Sequence, residues 1–280
     1  MKILVSPQWL ADRLSSETIL VLDATLKKTV NIIGENKKEV IPGAVYFDLD
    51  NVFSVQDSEL PHTFPSFSCM SALLGATGLT PQSKVVVYDQ QGIYSAPRVW
   101  WMLKVMGIQK VYLLDGGLPA WKEAGFAVWE NHSFPMATQD QSFCAQSESM
   151  VDKRTVFSNI DTQQFVVVDA RPAARFNGVQ AEPRAGLRCG HIPGSVNIPF
   201  TEVLTEGKYQ SQDFLTTLFD RQGLLPHNSL VFSCGSGVTA CIVLIAAYLA
   251  GFTHLKVYDG SWAEWGADGA LPVRSYQVSK

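Results

Sequence analysis

Residues Val167–Ala170 (VVDA) repeat an earlier segment, Val21–Ala24 (VLDA), 146 positions further along the chain. Each is a short apolar run that contains an aspartate near its end, as buried strands of parallel sheets often do. Three more pairs follow in the same order, at offsets of 144 to 151 positions. They are Ile41–Val45 with Ile192–Val196, Val85–Asp89 with Leu230–Cys234, and the Asp-Gly pair at 115 with that at 259. Because this period is far too long for a solenoid, the pattern predicts a duplicated domain.

In both halves, short β-branched runs alternate with helical segments. This alternation predicts an α/β fold in which each half is a mainly parallel sheet flanked by helices. The chain length of 280 residues fits two domains. We place the first domain at residues 1–135, a linker rich in serine and glutamine at 136–150, and the second domain at 151–280.

The composition excludes several classes of function. Lys and Arg number 22 against 26 Asp and Glu, a net charge of −4, which argues against a nucleic-acid partner. The longest uncharged apolar run, Ala240–Phe252, is shorter than the ~20 residues that a membrane span needs, so it predicts a buried helix. The apolar stretch at the N-terminus is too short for a secretory signal. We therefore expect a cytoplasmic protein without a membrane partner.

The five cysteines, at positions 69, 144, 189, 234 and 241, are odd in number and scattered in spacing. They form no Cys-x-x-Cys pair and no metal-ligand spacing with the histidines. We expect neither a disulfide framework nor a metal site, so each cysteine has to be judged singly.

Cys234 differs from the others because it stands where the third strand of the second half ends. Asp89 occupies the matching place in the first half. A glycine-containing loop follows Cys234 and leads into the apolar helix, so backbone N–H groups and the helix N-terminus would favour a thiolate there. We predict that Cys234 is a nucleophile projecting at the top of the sheet; an ordinary buried cysteine in a tight turn is the alternative.

The segment before the Ile-Pro-Gly turn is five residues longer in the second half than in the first. It carries four arginines, at positions 171, 175, 184 and 188, whereas the first-half segment offers only lysines. In an acidic protein this cluster predicts a clamp for an anionic substrate. Some of the four are expected to be ordinary solvated arginines. His191, where the first half has Val40, is expected to be a scaffold residue rather than a base.

The tandem halves, the turn Gly190–Gly194 (GHIPG) and the loop Cys234–Thr239 (CGSGVT) resemble the tandem rhodanese-type sulfurtransferases. The match is nearest to their 3-mercaptopyruvate branch, because Gly235 and Ser236 stand where thiosulfate-using members typically carry basic residues. The resemblance covers almost the whole chain. It implies a rhodanese fold in each half, with an inactive first half and a catalytic second half.

The resemblance also implies roles for individual residues. A persulfide would form on Cys234, the carboxylate of the donor would bind Arg175 and Arg184, and a proton relay would consist of Ser236, His62 and Asp50. Asp48 could replace Asp50 in that relay. The remaining substrate-binding residues would be those of the loop: Gly235, Gly237, Val238 and Thr239.

The expected reaction moves sulfur from 3-mercaptopyruvate, a small anionic donor, to cyanide or to a thiol acceptor such as thioredoxin or a small thiol. It releases pyruvate and needs no metal or organic cofactor. A thiosulfate sulfurtransferase and a non-catalytic binding module remain alternatives. A cysteine phosphatase is disfavoured because Ala240 stands where its Cys-x5-Arg motif requires arginine.

Overall fold

The computed structural model describes residues 3–26, 39–138 and 142–276. The chain divides into two compact units, each treated separately below. The first contains residues 1–57, 64–147 and 206–209, and the second contains residues 58–63, 148–205 and 210–280. The segment that carries His62 therefore groups with the second unit. Residues 139–141 of the predicted linker lie outside the described residues, and its bounds stay a prediction.

The first unit is built on a five-stranded parallel sheet with the strand order β1-β5-β4-β2-β3. Its strands are β1 (Leu4–Val5), β2 (Leu20–Asp23), β3 (Val45–Tyr46), β4 (Lys84–Tyr88) and β5 (Lys110–Leu114). Its helices are α1 (Pro7–Leu14), α2 (Phe67–Ala76), α3 (Ala96–Val105) and α4 (Gly117–Glu123).

The second unit has the same topology, with the strand order β6-β12-β11-β7-β8 and all pairs parallel. Its sheet strands are β6 (Met150–Val151), β7 (Val166–Asp169), β8 (Val196–Asn197), β11 (Leu230–Ser233) and β12 (Leu255–Tyr258). Its helices are α5 (Lys153–Thr162), α6 (Ala173–Phe176), α7 (Gln212–Arg221), α8 (Ala240–Leu249) and α9 (Ser261–Ala267). Two short strands, β9 (Leu204–Thr205) and β10 (Lys208–Tyr209), lie outside the two sheets. The predicted α/β fold with duplicated domains is confirmed.

Burial explains why β11 and α8 form the core of the second unit. Every residue of β11 is at most 1% exposed, and α8 is buried from Ala240 to Ala247. A strand covered on both faces has to be apolar throughout, which the sequence of β11 satisfies apart from its last residue, Ser233. The apolar run that starts at Ala240 is a buried helix, as predicted. No helix in the described part of the chain is long and apolar enough to cross a membrane.

Strand register determines where the loops of interest begin. In the second unit Asp169 pairs with Ser233, so β7 and β11 end side by side and Cys234 follows immediately. In the first unit Asp23 pairs with Tyr88 in the same way, and Asp89 follows. The carboxyl ends of parallel strands are where α/β proteins bind their ligands.

Candidate active site around Cys234

The backbone of Cys234 is held by the turn that begins α9. The Cys234 N–H donates to the Ser261 hydroxyl at 3.2 Å, and the Cys234 carbonyl accepts the Trp262 N–H at 2.9 Å. The next carbonyl, that of Gly235, accepts the Ala263 N–H at 3.0 Å. The N-terminus of α9 thus fixes the first two residues of the loop.

Six backbone N–H groups of the loop lack a hydrogen-bond acceptor in the described part of the chain. Within the described residues, the N–H groups of residues 235–240 donate to no protein acceptor. Buried amides normally find a partner, so a run of free ones at a helix N-terminus is typical of an anion-binding loop. Gly237 supplies a left-handed turn with φ +76°. Helix α8 begins at Ala240.

The sulfur of Cys234 does not project into solvent, contrary to the sequence prediction. Only 1% of the residue is exposed. Gly235, Ser236 and Thr239 in the loop that follows are partly exposed.

Two of the four arginines reach this loop. A methyl group built on Gly235 would lie 3.3 Å from Arg175 Nη2 and 4.0 Å from Arg184 Nη1. Arg175 is held there by a two-pronged ion pair with Glu182, whose other contact is Arg171 Nη1 at 2.7 Å. Arg184 is exposed, and it forms no ion pair with an acidic group of the described chain. A glycine at 235 lets both guanidinium groups come this close.

The other two arginines are structural, whereas the sequence analysis expected those outside the clamp to be ordinary solvated residues. Arg171 is 1% exposed, forms a salt bridge with Asp169 at 2.6 Å, and donates to the Gly190 carbonyl at 2.7 Å. Its guanidinium also lies 4.1 Å from the centre of the Trp262 ring. Arg188 donates to four carbonyl oxygens at the end of α9 and beyond it, those of residues 265, 266, 268 and 271. Arg171 is therefore buried, and Arg188 is partly exposed but held by protein carbonyl oxygens.

Ser236 and His62 are brought together within the second unit. His62 Nδ1 lies 3.3 Å from Ser236 Oγ, within reach of a hydrogen bond. His62 has φ +57°, an uncommon conformation for a residue other than glycine and one often found at functional sites. Its loop is closed by its own contacts, with Leu60 N–H donating to Ser58 Oγ and the hydroxyls of Ser58 and Thr63 2.9 Å apart.

The two aspartates proposed for the relay belong to the first unit. Asp48 uses both carboxylate oxygens locally, since they accept the side-chain amide of Asn51 at 3.0 and 3.1 Å. Asp50 is half-buried, and its carbonyl accepts the side-chain amide of Gln56 at 3.3 Å.

His191 lies in the scaffold of the second unit. It is 3% exposed, its Nδ1 lies 2.8 Å from the Phe176 carbonyl oxygen, and its ring stacks on Phe176 at 3.9 Å. Burial lowers the pKa of this imidazole, so it is a neutral packing residue near pH 7. This agrees with the sequence interpretation.

The second unit also contains a cavity of about 290 Å³ near the amino end of β7, lined by Asn159, Phe165, Val167 and Ile192 among others. None of its lining residues is ionisable, and none belongs to the Cys234 loop. It therefore offers no chemistry for an anion. Among the described residues, no cluster of His, Cys, Asp and Glu could hold a metal ion.

The Rhodanese-like domain family matches residues 6–124 and 154–268. The chain belongs to this family. It is 42% identical over 274 residues to the 3-mercaptopyruvate sulfurtransferase of Rattus norvegicus, covering 94% of this chain and 91% of that one. The crystal structure of SseA from Escherichia coli, described as a 3-mercaptopyruvate sulfotransferase with the rhodanese fold, has a TM-score of 0.82 and 34% identity. That match covers 94% of this chain and 99% of SseA.

A thiosulfate sulfurtransferase of Rattus norvegicus is also similar, at 36% identity over 279 residues, covering 94% of this chain and 91% of that one. Both activities thus occur among rhodanese-like relatives that span nearly the whole chain.

Proposed function

We propose that this protein is a 3-mercaptopyruvate sulfurtransferase that carries sulfur as a persulfide on Cys234. One observation carries the proposal: a cysteine stands at the carboxyl end of β11, followed by six amide N–H groups that have no acceptor among the described residues, with two arginines against the same loop. A nucleophile, an anion-binding loop and a clamp for a carboxylate are the three parts that the reaction needs.

The first half-reaction transfers the sulfur of the donor. The Cys234 thiolate attacks the sulfur of 3-mercaptopyruvate, an S–S bond forms, and the C–S bond breaks. The electron pair of that bond stays on the carbon, so pyruvate leaves as its enolate and gains a proton. The free N–H groups of the loop stabilise the negative charge on the outer sulfur of the resulting persulfide.

Arg175 and Arg184 would bind the carboxylate of the donor. A guanidinium donates two parallel hydrogen bonds to a carboxylate, which binds and orients it. Glu182 holds Arg175 against the loop, whereas Arg184 is free to follow the substrate. The small neutral residues at 235 and 236 leave room for a carbon skeleton and offer no charge for the sulfonate end of thiosulfate.

Ser236 would supply the proton that the enolate takes up. Its hydroxyl lies 3.3 Å from His62, which can replace the proton as an acid–base partner. Asp50 is the proposed third member, because the carboxylate of Asp48 is occupied by Asn51 in its own turn.

The second half-reaction regenerates the enzyme. An acceptor thiolate, or cyanide, attacks the outer sulfur, and the bond to Cys234 breaks to leave the thiolate. The proposed acceptor is thioredoxin or a small thiol, and the proposed location is the cytoplasm. Both parts of the proposal rest on composition and family resemblance. The same resemblance, with Asp89 at the position of the nucleophile, supports a non-catalytic first domain at 1–135 and a catalytic one at 151–280.

The burial of Cys234 imposes a requirement on the proposal, because the donor sulfur has to touch a residue that is 1% exposed. The partly exposed loop residues and Arg184 indicate the side of approach. Iodoacetamide labelling followed by peptide mass analysis checks this, with the exposed Cys69 as the reference thiol. We expect Cys234 to be labelled; complete protection of Cys234 in an otherwise reactive protein would contradict the proposal.

A donor comparison tests the choice of substrate. The purified protein is given 3-mercaptopyruvate or thiosulfate, and pyruvate and transferred sulfur are measured together. We expect kcat/KM to be at least tenfold higher for 3-mercaptopyruvate, and an adduct of about +32 Da on the intact protein. A clear preference for thiosulfate would establish the alternative sulfurtransferase, and no adduct with either donor would favour a binding module.

A further inference from the structure

Two equivalent turns, at the N-termini of α4 and α9, place different residues in the left-handed conformation. The first unit has Gly117 there with φ +54°, and the second unit has Ser261 with φ +50°. Glycine adopts this conformation without strain, but a residue with a Cβ atom rarely does. The catalytic unit therefore tolerates backbone strain at a place where the first unit avoids it.

The side chain of Ser261 accounts for the strained backbone. Its hydroxyl accepts the N–H of Cys234 at 3.2 Å and donates to the carbonyl of Tyr258 at 2.9 Å. The residue is completely buried, so this oxygen has no competing water. A glycine would leave the Cys234 N–H without its acceptor.

The first unit excludes this arrangement by geometry. A Cβ built on Gly117 would collide with the carbonyl oxygens of Asp89 and Gly92. In the second unit Ser261 carries a Cβ at the corresponding position, and its hydroxyl bonds to residues that directly follow β11 and end β12. The two turns also differ at the glycine before this residue, which has φ +81° at Gly116 and φ −62° at Gly260.

We infer that Ser261 is a positioning residue for Cys234. Its hydroxyl holds the N–H of the nucleophile while the next two N–H groups, of Trp262 and Ala263, hold the carbonyls of Cys234 and Gly235. Together these bonds fix the backbone of Cys234 and Gly235 at the start of the loop. This inference rests on the proposed function, because it assigns Ser261 to the alignment of the persulfide.

Substitution of Ser261 by glycine should relieve the strained backbone, which favours folding, but it should also remove the hydroxyl that holds Cys234 in place. Ser261→Gly removes the backbone strain and the hydroxyl together, whereas Ser261→Ala removes only the hydroxyl. We expect Ser261→Gly to melt within about 3 °C of the wild type, and both variants to lose about tenfold in kcat with 3-mercaptopyruvate. KM should change less than about twofold, because Arg175 and Arg184 are untouched.

A matched control is Ser211→Gly, at the N-cap of α7 in the same unit. The Ser211 hydroxyl accepts the N–H of Phe214 at 3.3 Å, so this substitution also removes a serine hydroxyl from a helix N-terminus. It should lower the melting temperature and leave kcat unchanged.

Wild-type kcat in both Ser261 variants would overturn the inference. A loss of kcat accompanied by an equal loss of folded protein in both variants would also overturn it, since the role would then be structural. If the wild type itself loads no sulfur from 3-mercaptopyruvate, the proposed function fails on its own. The rate of Cys234 alkylation by iodoacetamide then decides the inference, which stands only if Ser261→Gly changes that rate at least threefold.

Discussion

The loops after β4 and β11 occupy the same place in two copies of one fold, yet their backbone N–H groups differ in hydrogen bonding. In the first unit the carboxylate of Asp89 accepts four backbone N–H groups, those of residues 91, 94, 95 and 96, at 2.8 to 2.9 Å. In the second unit Cys234 replaces Asp89, and six amides lack a protein acceptor in the described chain. The first loop uses its N–H groups on the carboxyl group of Asp89, whereas the N–H groups that follow Cys234 find no acceptor among the described residues.

This comparison supports the proposal that the first half is non-catalytic although it has the same fold. Asp89 is buried, and burial raises the pKa of its carboxyl group, while the N–H groups of Ala96, Tyr94 and Gln91 oppose that shift. A carboxylate so enclosed cannot act as a sulfur carrier. Both loops are nonetheless tied to the next helix in the same way, since Leu118 N–H donates to the Asp89 carbonyl as Trp262 N–H does to that of Cys234.

The largest effect is expected from Cys234→Ser, which replaces the nucleophilic sulfur with a weakly acidic hydroxyl. Pyruvate release should fall by more than about 1,000-fold, and the +32 Da adduct should disappear. Steady-state kinetics and intact mass measure both. Cys69→Ser, an exposed thiol of the first unit, is the control and should keep full activity. Substantial pyruvate release by Cys234→Ser would remove the persulfide mechanism.

Asp89→Ala should be the most damaging change in the first loop. It leaves four buried N–H donors without an acceptor, and each such donor costs about 1–3 kcal/mol, so we expect a loss of about 3 kcal/mol or more in unfolding free energy. Urea denaturation measures it. Asp89→Asn keeps an acceptor oxygen and should lose less. Equal stability of Asp89→Ala and the wild type would mean that the carboxylate does not organise this loop.

Arg184→Gln tests the anion clamp of the second loop without disturbing the fold. Losing a charge-assisted hydrogen bond to a carboxylate costs roughly 2 kcal/mol, so KM for 3-mercaptopyruvate should rise about 30-fold. Because Arg184 is exposed, the melting temperature should not change. Arg154→Gln on α5, also exposed, is the matched charge control. An unchanged KM in Arg184→Gln would exclude this residue from substrate binding.

The smallest effect concerns a second pair of equivalent positions, Val40 and His191. Val40 forms an antiparallel bridge with Trp129, and His191 forms one with Arg274. Burial lowers the pKa of folded His191 below its ordinary value of 6.5. The unfolded chain then binds the proton first as the pH falls below 6.5, so this contribution to stability is present at higher pH and is lost on acidification.

His191→Val, which introduces the first-unit residue, should remove that pH dependence. Unfolding free energies at pH 8 and pH 5.5 are compared in the two proteins. The difference between the two pH values should be smaller in the variant by up to about 1 kcal/mol. An identical pH dependence in both proteins would show that His191 is not the group responsible.

The features that could be predicted are those encoded by short sequence patterns. Repeated strand sequences, the Ile-Pro-Gly turns and the apolar segment from Ala240 were enough to predict a duplicated parallel α/β fold, because buried strands and helices require continuous apolar runs. A cysteine before a glycine-containing loop was enough to nominate Cys234, since strand ends are where such loops bind ligands.

Which arginines face that loop could not be read from spacing. Four arginines within eighteen positions look alike in sequence, and only packing separates Arg175 and Arg184 from Arg171 and Arg188. Buried guanidinium groups need several acceptors, and these come from segments up to 83 residues away along the chain. The exposure of Cys234 was predicted wrongly for the same reason, because burial depends on all the elements that cover a loop.

Sequence alone therefore determined the architecture and nominated Cys234 as the nucleophile, through patterns that extend over a few residues. Tertiary structure decided which groups lie near the Cys234 loop. They are the free amides, the two arginines, the Ser236–His62 contact and the Ser261 hydroxyl that accepts the Cys234 N–H. Hydrogen bonds and burial join residues that are distant along the chain. Their partners are specified only when the chain has folded.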